Sequence, residues 1–323
     1  MPNMLLQNIS FTNGPRPGEP PLEIVPGRVT VFVGPNNGGK SSALRDITSE
    51  FVFDPSHVQK VISDLRIVNV TRERAAQKIS KFHMPVAGET PERRIFIRKN
   101  LGPQEVNEPY LLDNLLALFN QAQRHQHLDR QYISRHLLST FALNLTGENR
   151  LGLVNSSGAQ RLGDPPQSTI AALFQDDDLR HALSDIVFDA FQMHLVIDAT
   201  NLGSLEYALS ETRPRAEIER AFTDEAIEFF RSSHALSASS DGTKAFVGVL
   251  SEVIAGDVEV LIIDEPEAFL HPGLAYTLGR QIGLKMGDDK QLFAATHSPH
   301  FLMGCLSAGV PIDVVRLTHR AGS

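Results

Sequence analysis

Residues 34–41 read GPNNGGKS, and this glycine-rich stretch constrains the fold more than any other part of the sequence. A β-like run, VTVFV over residues 29–33, precedes it, and a helix-like run, SALRDI over residues 42–47, follows it. The pattern G-x-x-x-x-G-K-S between a strand and a helix is typical of the phosphate-binding P-loop. The sequence therefore predicts a strand, a loop that wraps an anion, and a helix.

The residue types in this loop match phosphate chemistry. Glycines let backbone N–H groups curl around a phosphate, and the helix N-terminus adds partial positive charge. Lys40 is expected to reach the β- and γ-phosphates of a nucleotide, and the Ser41 hydroxyl to hold Mg²⁺. The predicted binding residues are Gly34, Asn36, Asn37, Gly38, Gly39, Lys40, Ser41 and Ser42.

A second segment, VLIIDEP over residues 260–266, is an apolar run that ends in two acids. Buried parallel strands are apolar on both faces, and ligands lie beyond their carboxyl ends. Asp264 is expected to contact Mg²⁺ directly or through water. Glu265 is expected to polarise the attacking water, because a carboxylate beside the γ-phosphate can accept its proton.

Two further segments carry candidate site residues. His297 follows the strand-like QLF of residues 291–293, and a histidine at that strand end can contact a γ-phosphate. In residues 236–246, LSASSDGTKAF, Ser240 and Gly242 can offer a hydroxyl and backbone N–H groups to phosphate. A serine before Asp-Gly is also common as an ordinary helix cap. The phosphate-binding interpretation therefore depends on where this segment lies, 24 residues before Asp264.

Taken in order, these four segments resemble the ABC-type ATPase family: Walker A, signature, Walker B and switch histidine. Asn36-Asn37, together with DEPEAFLHP over residues 264–272, resembles the branch that contains the SMC, RecF and overcoming-lysogenization-defect proteins. The resemblance covers roughly residues 1–60 and 232–318. It implies an α/β fold, with a P-loop ABC-type core of mixed sheet flanked by helices, and ATP and Mg²⁺ as cofactors.

The resemblance also implies a mechanism. Two copies would enclose two ATP molecules, so we expect a homodimer or higher homo-oligomer that forms through the ATP sites. Each site would combine residues of one subunit with Ser240 and Gly242 of the other, which makes hydrolysis depend on assembly. The residues from the first subunit would be Lys40, Ser41, Asp264, Glu265 and His297.

One segment departs from the family pattern, and the roles of four other residues are left with alternatives. The signature reads SSDGTK rather than LSGGQ, and Asp241 adds a negative charge where phosphate would lie. Arg150 is either a positively charged site residue or a surface arginine. Three glutamines are candidates for the glutamine of the family's Q-loop: Gln59, Gln77 and Gln104.

The order of strand-like and helix-like patterns predicts three parts. Residues 1–102 form an N-terminal ATPase lobe with the P-loop and antiparallel strands, and residues 103–235 a mainly helical insert. Residues 236–323 form a C-terminal lobe with the signature, Walker B and switch histidine. An α/β core interrupted by an insert explains this order.

Composition bears on three properties of the protein: nucleic-acid binding, cellular compartment and membrane insertion. The net charge of −8 argues against a wholly basic nucleic-acid coat, although a local basic groove stays compatible with it. The one cysteine, Cys305, fits a reducing cytosol, and a cytoplasmic protein is expected. No run of about 18 apolar residues is present, so we expect no membrane-spanning segment.

Two roles from different classes fit these features. In the first, the chain is the ATPase of a phage-defence or nucleic-acid surveillance assembly. The residues after His297 are too few for a Toprim nuclease, so we expect the effector to be a separate chain or to lie on a part of the gene outside this sequence. In the second, it is a RecF- or SMC-like DNA clamp in DNA repair, with nucleic acid bound by basic clusters that could equally be solvated surface: Arg72, Arg74, Arg93, Arg94, Arg98 and Lys99.

Overall fold

The computed structural model describes residues 4–16, 18–52, 54, 56–68, 74, 138–147, 149–158, 160–163 and 166–318. Its strands are β1 (Leu6–Phe11), β2 (Glu23–Ile24), β3 (Val29–Val33), β4 (Ile62–Ile67), β5 (Ala142–Leu145), β6 (Ser157–Gly158), β7 (His194–Asp198), β8 (Ser204–Ser210), β9 (His234–Ala235), β10 (Val260–Asp264), β11 (Gln291–Thr296) and β12 (Asp313–Arg316).

Helices lie between these strands. They are α1 (Lys40–Phe51), α2 (Thr169–Gln175), α3 (Asp177–Phe191), α4 (Ala216–Glu219), α5 (Asp224–Ser232), α6 (Asp241–Ala255), α7 (Pro272–Lys285) and α8 (Pro299–Ser307). Short 3-10 helices cover Leu138–Thr140, Asn149–Val154 and Leu236–Ala238. Among the described helices, none combines the length and apolar character that a bilayer crossing requires.

A five-stranded parallel sheet forms the centre, in the order β12-β3-β11-β10-β5. Side chains alternate between its two faces, as the period of a strand requires. On β10, Val260 and Ile262 face one hydrophobic layer, and Leu261 and Ile263 face the other. Both faces are therefore covered, which explains why these strands read as continuous apolar runs.

A three-stranded antiparallel sheet, β2-β1-β4, packs with α1 on one face of the central sheet. The fully buried Gln291 joins the two sheets: its Oε1 accepts the N–H of Leu6 at 2.8 Å, and its Nε2 donates to the Leu6 carbonyl at 3.0 Å. The opposite face carries α2, α3, α6, α7 and α8. The α/β core with a sheet flanked by helices agrees with the sequence prediction.

The range 103–235, expected to be a mainly helical insert, contains strands as well as helices in its described part. β5 belongs to the central sheet, and β7 and β8 form an antiparallel pair with β6 and β9 beside β8. β7 and β8 are buried on both faces, so their short apolar runs lack the clean alternation that identifies a half-exposed strand. The division at residues 102 and 235 stays a prediction.

Candidate functional site

Three neighbouring strands end at the same edge of the central sheet. β11 pairs in parallel with β3 on one side, where Thr296 lies opposite Val33. On its other side β11 pairs with β10, where Ala295 lies opposite Asp264. Since adjacent strands are about 4.8 Å apart, the P-loop, His297 and Asp264 emerge side by side. The structure thus brings together three of the four predicted segments.

The glycines of the P-loop are required by its conformation. Gly34 and Gly39 have φ angles of 149° and 92°, in a region that favours glycine. A Cβ atom on Gly34 would overlap the carbonyl oxygen of Leu317, and one on Gly38 would lie 3.0 Å from it. The end of β12 therefore supports the loop from behind. Asn37 also has a positive φ, 62°, which asparagine tolerates better than most residues.

Lys40 opens α1 and folds back over the loop. Its Nζ donates to the carbonyls of Gly34 and Pro35, each at 2.9 Å. Only 9% of Lys40 is exposed, whereas Asn36 and Asn37 at the loop tip are exposed. Gly39 precedes the helix and has no side chain to cap it, so the N–H groups of the first turn stay available to an anion.

Ser41 and Ser42 lie in that first turn, half-buried. A serine hydroxyl and the Asp264 carboxylate are hard oxygen ligands of the kind that Mg²⁺ prefers. The described residues contain no group of three or more His, Cys, Asp or Glu side chains that could hold a metal ion by themselves. This donor set fits Mg²⁺ that is bound together with phosphate oxygens, and it does not fit a metal cage made of protein alone.

Glu265 follows Asp264 in an unusual backbone conformation. Its φ angle is 52°, which costs a residue other than glycine of order 1 kcal/mol. Its N–H donates to the carbonyl of Ala295 at 2.8 Å, which ties the turn to β11. The Glu265 side chain is 54% exposed at the sheet edge, so it can meet water or a nucleotide.

Arg150 holds this turn from beneath and is fully buried. Its Nη1 donates to the Glu265 carbonyl at 2.7 Å, and its Nη2 donates to the Asp264 carbonyl. Burial lowers the pKa of Arg150, and the charges of Glu267, Asp264 and Glu265 act in the opposite direction. Of the two readings of Arg150 given above, the surface one is wrong; the residue supports the backbone of the acidic turn.

His297 lies between two carboxylates. Its Nδ1 is 3.3 Å from Glu265 Oε1 and 3.3 Å from Glu267 Oε1. Glu267 Oε1 also accepts the backbone N–H groups of His297 and Ser298, each at 3.2 Å. Glu267 was not among the predicted site residues, because only the first two acids of the DEPE stretch had an assigned chemical role.

Ser240 caps α6, and its Oγ accepts the N–H of Thr243 at 3.2 Å. The negative charge of Asp241 is paired, because its carboxylate lies 2.7 Å from Lys244 Nζ. A Cβ atom on Gly242 would lie 2.6 Å from the carbonyl oxygen of Phe269, so α6 begins against the loop that follows Glu265 in the same chain. Contact of Ser240 and Gly242 with a nucleotide on another subunit stays a prediction.

Several other candidates lie away from this edge or outside the described residues. Gln59 Nε2 donates to Glu50 Oε1 at 3.3 Å, near the end of α1 that is about 15 Å from the P-loop. Arg74 pairs with Glu259. The remaining candidates lie outside the described residues: Gln77, Gln104, Arg72, Arg93, Arg94, Arg98 and Lys99.

Comparison with known proteins gives one family and a set of structural relatives. The family described as "AAA domain, putative AbiEii toxin, Type IV TA system" matches residues 29–303. A search of the curated proteins gave no significant match.

Among solved structures, an SMC head bound to the C-winged helix domain of ScpA is similar, with a TM-score of 0.54 and 12% identity over 98% of this chain and 95% of that chain. The SMC head domain from Thermotoga maritima gives a TM-score of 0.43 and 15% identity over 93% and 92% of the two chains. A nucleotide-free ATP-binding cassette from an ABC transporter gives 0.35 and 13% over 98% and 88%. The similarity to the SMC head bound to ScpA shows that the two chains share a fold, a parallel sheet flanked by helices.

Proposed function

Since this chain belongs to the family described as "AAA domain, putative AbiEii toxin, Type IV TA system" and has the ABC/SMC-like P-loop ATPase fold, we propose that it binds and hydrolyses Mg·ATP. We propose further that an ATP-sandwiched dimer acts as a switch on a separate effector protein, in phage defence or nucleic-acid surveillance. The family's description names a putative toxin and a type IV TA system, but it names no separate effector, so control of an effector is a proposal that the family match does not carry.

One observation carries the proposal of ATP hydrolysis. The P-loop, Asp264 with Glu265, and His297 lie at the ends of three adjacent parallel strands. A phosphate held by the loop would therefore be close to a carboxylate and an imidazole on the neighbouring strands. Catalysis of phosphoryl transfer consists mainly of positioning and charge stabilisation, which such a row of side chains can supply.

Each side chain has a role in this proposal. Lys40 and the first turn of α1 bind the phosphates, and Ser41 and Asp264 hold Mg²⁺. When bound, Mg²⁺ supplies positive charge that neutralises the phosphate oxygens. Glu265 orients the attacking water and accepts its proton, since it is the exposed carboxylate at the edge. His297 contacts the γ-phosphate through its half-exposed ring.

The switch proposal rests on exposed residues in two places that a second copy would have to cover. Glu265 and His297 are exposed at the edge of the central sheet, and Ser240 and Asp241 are exposed at the start of α6. Solution mass measured by light scattering on Glu265→Gln, with and without Mg·ATP, tests this. An ATP-dependent increase in mass supports the switch, and a constant mass with ATP bound contradicts it.

ATP hydrolysis itself is tested by phosphate release from wild-type protein with Mg·ATP, with Lys40→Ala as the matched control. We expect wild-type turnover and loss of nucleotide binding in Lys40→Ala, because the variant lacks the ammonium that reaches the loop. Equal nucleotide affinity in both proteins would contradict the P-loop assignment. Of the basic residues named for the DNA clamp, Arg74 is the one in the described part of the chain, and it pairs with Glu259.

A further inference from the structure

The acidic turn after β10 contains two glutamates that face the same imidazole and differ in their access to solvent. Glu265 Oε1 and Glu267 Oε1 are each 3.3 Å from His297 Nδ1. The Glu265 side chain is 54% exposed, whereas that of Glu267 is 9% exposed. Only Glu265 can reach water or a nucleotide, so the two carboxylates cannot share one role.

Glu267 is built into the backbone around the histidine. Its Oε1 accepts the N–H groups of both His297 and Ser298 at 3.2 Å. These two residues leave β11 and lead into α8, where Ser298 caps the helix by accepting the N–H of Phe301 at 3.3 Å. Oε1 accepts both N–H groups at once, and Thr296 Oγ1 also accepts the Ser298 N–H at 2.9 Å, so Glu267 and Thr296 together fix the direction in which the chain turns after β11.

A buried carboxylate is costly unless charge and hydrogen bonds compensate for its lost hydration. The buried guanidinium of Arg150, which holds the carbonyls of Asp264 and Glu265, is the positive charge described near Glu267, and the Glu267 charge in turn favours the protonated form of Arg150. Glu267 Oε2 is buried and has no hydrogen-bond partner among the described residues. A group retained at this cost, beside the residue expected to contact the γ-phosphate, indicates a role beyond packing.

We propose that Glu267 is a positioning residue of the ATPase site, which holds the His297–Ser298 backbone so that the imidazole stays beside Glu265. This inference rests on the proposed hydrolysis of ATP. Glu267 acts through His297 and does not touch the nucleotide. Arg150 belongs to the same arrangement, because it holds the carbonyls of Asp264 and Glu265 on the other side of the turn.

The test measures kcat and KM for ATP in Glu267→Ala and Glu267→Gln. A misplacement of about 1 Å in a catalytic group can cost about 10²-fold in rate. We expect Glu267→Ala to lower kcat by about 10- to 100-fold with KM within about twofold of wild type. Glu267→Gln keeps an acceptor oxygen for the two N–H groups, so we expect a smaller loss of kcat.

Glu252→Ala is the matched control. Glu252 is also a buried glutamate, but it lies near the end of α6 and accepts a hydrogen bond from Thr169. We expect this variant to lose stability and to keep its kcat at temperatures well below its unfolding midpoint. An equal loss of kcat in Glu252→Ala and Glu267→Ala would mean that buried glutamates act only through stability, and it would overturn the inference.

A double variant isolates the path through His297. If Glu267 acts through the imidazole, then Glu267→Ala added to His297→Ala lowers kcat little beyond His297→Ala alone. Two fully additive losses would overturn the inference. Wild-type kcat in Glu267→Ala would also overturn it and leave ATP hydrolysis intact, whereas absence of turnover in wild-type protein would overturn the proposed function and this inference with it.

Discussion

Glu265 combines a strained backbone with an exposed side chain. Its φ of 52° is held by three hydrogen bonds: its N–H donates to Ala295, its carbonyl accepts from Arg150, and the same carbonyl accepts from Ala268 at 2.8 Å. A strained backbone of this kind persists only where surrounding contacts hold it in place. The carboxylate therefore leaves the sheet edge in a fixed direction, which is what a residue that orients water requires.

The first prediction concerns this carboxylate. In Glu265→Gln we expect unchanged ATP binding and a loss of turnover of at least about 10²-fold, because the amide cannot accept the proton of the attacking water. Nucleotide affinity and single-turnover hydrolysis, measured on the same preparation, check both parts. Near-normal turnover would mean that another group is the base.

The second prediction concerns Cys305, whose thiol is fully buried between α8 and α7. Burial raises the pKa of this thiol to about 12, so the thiol stays protonated in the folded chain far above neutral pH. We expect iodoacetamide at pH 8 to alkylate the urea-unfolded chain readily and the folded chain at least about 10²-fold more slowly. Comparable rates in both states would contradict the burial of Cys305.

At this scale the sequence pointed to some of the candidate residues that the structure brings to one sheet edge and missed others, for a physical reason. Lys40, Asp264 and Glu265 lie within local patterns, so spacing alone was enough to find them. Arg150 and Glu267 act through contacts with chain segments 115 and 30 residues away, respectively. Such contacts depend on which strands become neighbours, and no local pattern contains that information.

At the scale of elements, α7 and α8 pack through glycines. A Cβ atom on Gly279 would lie 3.0 Å from the backbone nitrogen of Cys305 and closer still to the carbonyl oxygen of Phe301. On α8, a Cβ atom on Gly304 would overlap the carbonyl oxygen of Tyr276. The absence of side chains at these positions lets two helix backbones approach, and α8 begins two residues after His297.

The third prediction follows from this contact. We expect Gly279→Ala to destabilise the fold by about 1–3 kcal/mol, because the added methyl group must push backbone atoms apart. Gly273→Ala in the first turn of the same helix is the control, since its nearest neighbour would be 3.6 Å away at His271 Nδ1. The two urea midpoints, compared with wild type, measure the difference, and equal midpoints would contradict close packing of α7 on α8.

Elements with strong local signals were predicted well. α1, β3, β10 and β11 lie where the P-loop and the two apolar runs indicated. The β7–β8 pair was missed, because its strands are covered on both sides and their apolar residues show no alternation. Tertiary burial, and not local propensity, decides the conformation of such segments.

At the scale of the whole molecule, the proposed dimer depends on an exposed helix start. In the fourth prediction, Ser240→Arg prevents ATP-dependent association, because the bulky cation occupies the surface that a second copy would cover. Nucleotide affinity of the monomer should stay unchanged, since Ser240 serves the partner's site in this proposal. Light scattering in a Glu265→Gln background, with and without Mg·ATP, measures the mass.

Ser307→Arg is the matched control for Ser240→Arg. Ser307 is also exposed, but it lies at the last residue of α8, about 12 Å along the helix from its start near His297. We expect this variant to associate like its parent. Association that survives in Ser240→Arg would show that α6 is not at the interface.

The side chain of Lys40 links the P-loop to the helix that follows it. An ammonium group has three donors, and two of them go to the carbonyls of Gly34 and Pro35. The third remains for a phosphate. These two bonds restrict the loop within the folded chain, so part of its conformational entropy is lost during folding and the site is preorganised to that extent. A preorganised site associates without waiting for a rearrangement, and its affinity is governed by how slowly the nucleotide leaves.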